Sequence, residues 1–77
     1  MPTWDEIEGL VTSMQELQHK KVFELARRLK PTLTMEDMQS PHDFPELSDV
    51  DWHYQDGTLA GIESVLAAMR AARRRET

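Results

Sequence analysis

The chain has 77 residues, nine Lys and Arg against fourteen Asp and Glu, a net charge of −5 and no cysteine. Disulfides and cysteine nucleophiles are excluded, and the negative balance argues against general binding to nucleic acid or anionic membranes. A chain this short buries a modest share of its unfolded surface, so packing against a second copy is the expected source of added stability. The absence of cysteine fits a reducing cytoplasm, the N-terminus lacks the basic region and apolar run of a secretory signal, and no run is long and apolar enough to span a membrane.

The first predicted element covers residues 3–30. Thr3-Trp4-Asp5-Glu6 fits a capping box, in which the Thr3 hydroxyl accepts from the Glu6 backbone N–H and the Glu6 side chain reaches back. Asp5, Glu6 and Glu8 suit the positive end of a helix dipole, Arg27, Arg28 and Lys30 suit the negative end, and Pro31 stops the helix. Trp4, Ile7, Leu10, Val11, Met14, Leu17, Val22, Leu25 and Leu29 recur with the 3.6-residue period and form one apolar stripe. Gln18 interrupts the stripe near its centre. A partly exposed position with a water partner is the plainer expectation for it, and a register-fixing polar contact the sharper one. Phe23 points to the opposite face, where the loop or a neighbouring chain is expected to cover it.

Residues 31–55 lose the helical period, and Pro31, Pro41 and Pro45 divide them into short pieces. Thr34 and Asp37 have capping-box spacing and Leu33 and Met38 that of a hydrophobic staple, which predicts a short helix near residues 35–39. The stretch from Pro41 to Tyr54 is rich in aromatics and acids and poor in glycine, unlike a flexible linker. An ordered loop pinned by Phe44, Leu47, Val50, Trp52 and Tyr54 is expected. The second long helix is placed at 56–75, with Asp51 and Asp56 as rival N-caps. It has a large-residue stripe of Leu59, Ile62, Val65, Leu66 and Met69. Its small-residue side is built from Ala60, Gly61, Ser64, Ala67, Ala68, Ala71 and Ala72, an arc that lets another backbone approach closely.

Charge is sorted along the chain. Between Pro31 and Met69 there is no Lys or Arg, while Glu36, Asp37, Asp43, Glu46, Asp49, Asp51, Asp56 and Glu63 fall there. An antiparallel pairing of the long helices sets the arginine tail beside Asp5, Glu6 and Glu8, and the acidic loop beside the cluster from Lys20 to Lys30; a parallel pairing crowds like charges. The expected fold of residues 1–77 is therefore all-α: an antiparallel helical hairpin with a long ordered connecting loop, dimerising into a four-helix bundle that buries the small-residue faces.

No catalytic residue and no cofactor site is predicted. Ser13, Ser40, Ser48 and Ser64 lack a nucleophile context, and Gly9, Gly57 and Gly61 stand alone rather than forming a phosphate loop. His42, Asp43, Asp49, Asp51 and His53 offer imidazole and carboxylate ligands for a metal-binding regulator or metal-dependent enzyme. A calcium loop beginning at Asp49 fails, because Tyr54 and Ala60 occupy the glycine and bidentate-glutamate positions. Arg70, Arg73, Arg74 and Arg75 make a nucleic-acid-associated regulator a further alternative, although the two helices are too far apart for a helix-turn-helix. The leading expectation is a cytoplasmic protein-interaction module whose acidic-aromatic loop recognises a partner through Phe44, Trp52, His53 and Tyr54.

Overall fold

The computed structural model describes residues 1–76, among which there is no strand. Helix α1 (Trp4–Leu29) and helix α2 (Val50–Glu76) flank three 3₁₀ turns, Asp37–Gln39, Pro41–Asp43 and Pro45–Ser48. The two helices lie side by side and antiparallel, in a molecule measuring 44 × 20 × 19 Å.

Both predicted boundaries of α1 hold. The Thr3 hydroxyl oxygen accepts from the Glu6 N–H at 3.1 Å, while the Glu6 carboxylate meets the Thr3 hydroxyl at 3.3 Å rather than the Thr3 backbone. At the other end the Lys30 N–H bonds the Ala26 carbonyl at 2.8 Å, and Arg27 Nη2 donates to the Pro31 carbonyl at 3.1 Å. The first satisfies a carbonyl of the last turn, and the second ties the Arg27 side chain to the chain just beyond the helix.

The loop is ordered by local chemistry. The Thr34 N–H donates to Asp37 at 2.9 Å and the Asp37 N–H to the Thr34 hydroxyl at 3.3 Å, the reciprocal box read from the sequence, but the helix it opens is the single turn Asp37–Gln39. Pro41 and Pro45 each begin a further 3₁₀ turn, for which their fixed φ is suited.

Helix α2 begins at Val50, well over one turn earlier than the 56–75 reading. Asp49, and neither Asp51 nor Asp56, is its cap: Asp49 Oδ1 accepts from the Trp52 N–H at 2.9 Å and the Asp49 carbonyl from the His53 N–H at 3.1 Å. The early start places Trp52 and Leu59, seven residues apart, on one face, and both are buried there.

The core sits at the loop end. Val22, Ala26, Leu33, Leu47, Trp52 and Leu59 are buried together, with Leu25, Leu29, Met38 and Phe44 packed against them. Toward the open end Leu66 is buried as well, and polar contacts join the helices around it. Gln18 Nε2 donates to the Gln55 backbone carbonyl at 3.0 Å and to Gln55 Oε1 at 2.7 Å, so this buried glutamine has a protein partner in place of the expected water. Gln15 reaches Glu63 at 3.5 Å, Arg70 and Arg73 approach Glu8 at 3.8 and 3.7 Å, Arg73 pairs with Asp5 at 2.7 Å, and Trp4 Nε1 donates to Glu76 at 2.9 Å. The charge blocks thus meet in the antiparallel sense. Exposed pairs are worth about 0–1 kcal/mol each, so they choose the orientation more than they hold the fold.

Candidate functional site

The loop residues expected to meet a partner divide into two groups. Trp52 is 1% exposed and belongs to the core, and Phe44 is half-buried beside it with Lys30 Nζ 5.8 Å from its ring centroid. Trp52 therefore presents no ring to the outside; its length in the stripe of α2 gives it to the core. His53 and Tyr54 are exposed, and the His53 ring stands edge-on to Trp52 at 5.3 Å. Trp52 Nε1 is buried without a hydrogen-bond partner among the described residues.

The histidines and acids proposed as metal ligands are spread out. His42 and Asp43 are exposed on the Pro41–Asp43 turn, Asp49 is engaged as the cap of α2, and Asp51 and His53 are exposed in the first turn of that helix. Among the described residues no three His, Asp or Glu side chains are placed to hold a metal ion. Glu46, in the Pro45–Ser48 turn, has its carboxyl below the usual range: its own backbone N–H is the main cause, partly opposed by desolvation, and Lys30 Nζ at 3.4 Å adds to it. Of the C-terminal arginines, Arg70 and Arg73 face the acids at the start of α1.

Two surfaces stand out that the sequence reading did not separate. The first is an apolar face. The wide stripe of α1 splits: Val22 and Ala26 face α2, whereas Leu10, Met14 and Leu17 are 64%, 49% and 59% exposed. At about 100° per residue these three lie on the flank of α1 away from Glu8 and Gln15, and Val65, 53% exposed, lies on the flank of α2 away from Glu63 and Arg70. The Gln15–Glu63 and Glu8–Arg70 contacts mark one side of the hairpin, so the two apolar flanks share the other side. Ala60, Gly61, Ser64, Ala67 and Ala68 are also exposed, on the outer part of α2.

The second surface is an open groove of about 590 Å³ on α1 near the loop end, lined by Lys20, Phe23, Glu24, Arg27, Arg28 and Pro31. The sequence signal for it was the spacing of Lys20, Phe23 and Arg27, three and four residues apart on one helical face.

The fold and these surfaces define an all-α helical hairpin with an apolar face and a basic groove. Comparison with protein-family models, with curated proteins and with solved structures finds no match to this chain. No helix of the described residues is long and apolar enough to cross a membrane.

Proposed function

We propose that this chain is a small protein-interaction module that works as a homodimer, two hairpins packing face to face into a four-helix bundle. The observation that carries the reading is the side-by-side exposure of Leu10, Met14, Leu17 and Val65 on one face spanning both helices. Burying a large aliphatic side chain is worth about 1.5–3 kcal/mol, so a few of them outweigh the exposed ion pairs that join the helices at this end. The face is self-complementary, as a two-fold interface requires, because each copy offers the same pair of antiparallel helices. The turns of the loop, where His42 is exposed, and the outer side of α2 at His53 stay outside the pairing and serve recognition of a further protein.

Sedimentation equilibrium over a wide concentration range tests the dimer. The wild type is expected at twice the chain mass of 8.9 kDa and a Leu10→Glu, Val65→Glu variant at the chain mass, with its helical circular dichroism retained because neither residue belongs to the hairpin core. A wild-type monomer throughout the range would overturn the reading.

A further inference from the structure

The groove on α1 has no part in the hairpin. Around the helix, Lys20 and Arg27 lie roughly 140–160° from Val22, on the side turned away from α2. Phe23, half-buried, forms the apolar floor, with the Arg27 guanidinium 5.8 Å from its ring centroid, and Pro31 closes one end. The Arg27 side chain is fixed from both sides, by the ring and by the bond from Nη2 to the Pro31 carbonyl, which leaves its other N–H groups directed to solvent in a set geometry. Glu24 stands 3.9 Å from Lys20 and offsets part of that charge, whereas among the described residues neither Arg27 nor Arg28 is in an ion pair.

We propose that this groove binds a short acidic peptide segment of another protein, with its carboxylates on Arg27, Arg28 and Lys20 and an apolar side chain laid on Phe23 and Pro31. Three cations against one acid supply the charge complementarity, and guanidinium groups bind carboxylates through paired, charge-assisted hydrogen bonds. The volume falls within the about 300–1,000 Å³ of sites that take small ligands, enough for a few side chains. A nucleic acid fits less well. Its backbone would have to continue past the loop that carries Asp43 and Glu46, on a chain of net charge −5, whereas a short segment ends within the groove. The proposal does not require dimerisation, since Lys20, Phe23 and Arg27 lie on the outer side of α1 and only Arg28 shares the flank of Leu10 and Leu17.

The test is an NMR titration of the ¹⁵N-labelled protein with a probe peptide of alternating Asp and Glu around a central Phe, alongside a peptide with Asn and Gln in their place and a thymidine oligonucleotide. Shift changes centred on Lys20, Phe23, Arg27 and Arg28 are expected with the acidic peptide, weakened about tenfold or more by Arg27→Glu, by added salt and by amide replacement of the acids. Phe23→Ala is expected to weaken binding as well; should it unfold the hairpin, Lys20→Glu, an exposed substitution, replaces it. Shift changes absent from the groove, or binding indifferent to Arg27→Glu, would overturn the proposal, and so would tighter binding of the oligonucleotide at these residues.

Discussion

Gln18 is the residue whose role the sequence half disclosed. Its place in an apolar stripe is visible from periodicity, but its partner is 37 residues away on the other helix, and no local pattern announces that Gln55 will arrive beside it. The pair uses both N–H groups of the Gln18 amide, one on a backbone carbonyl and one on a side chain, and so fixes the level at which α2 lies against α1. Removing one partner from a part-buried pair costs about 1–3 kcal/mol, whereas replacing both by apolar groups is nearly neutral. Gln18→Leu is therefore expected to lower unfolding stability by that amount, and Gln18→Leu with Gln55→Leu to recover most of it, measured by urea denaturation. A double variant no more stable than the single one would mean that the two glutamines do not act as a unit. Trp52 differs in kind: its indole N–H finds no partner among the described residues, so its volume in the core, and not its polarity, explains its place.

At the scale of elements, what was legible was what depends on near neighbours. The ends of α1, the Thr34–Asp37 box and the antiparallel sense of the pairing follow from caps, proline and sorted charge. The start of α2 was not legible, because Asp49, Asp51 and Asp56 are chemically equal as caps and the choice among them is made by burial. Starting at Val50 gives Trp52 a place among Val22, Leu33 and Leu47, contacts distant in sequence. Asp49→Ala is accordingly expected to cost about 0.5–2 kcal/mol, the loss of an N-cap. Asp56→Ala, on the body of the helix, is expected to stay within about 0.5 kcal/mol. Thermal unfolding of the two variants compares them directly, and equal losses would place the cap elsewhere. The stripe of α1 teaches the same point: periodicity tells which residues share an arc, and not which part of a wide arc faces which neighbour. Leu10, Met14 and Leu17 were grouped with Val22 for that reason, and the structure sets them apart.

For the whole molecule, the same flank of α1 changes character along its length, from Leu10, Met14 and Leu17 at the open end to Lys21 near the loop, and this gradient constrains how two hairpins would pair. A two-fold axis across the long axis, with full overlap, would press the apolar half of one copy onto Lys21 of the other and strip water from a charge without a partner. A two-fold axis along the bundle keeps the apolar halves together. It also brings α1 of each copy beside α2 of the other, at matching heights. Gln55 is level with Gln18, so Asp51, about one turn earlier on α2, is level with the turn of α1 that carries Lys21. Lys21 of each copy would then meet Asp51 of the partner subunit. Asp51→Lys is expected to weaken the dimer by about tenfold at low salt through like-charge contact, and Lys21→Glu added to the same chain to restore most of the loss, both read by sedimentation equilibrium. Unchanged association in Asp51→Lys would place the two-fold axis across the bundle, with the loop ends of the two copies pointing in opposite directions.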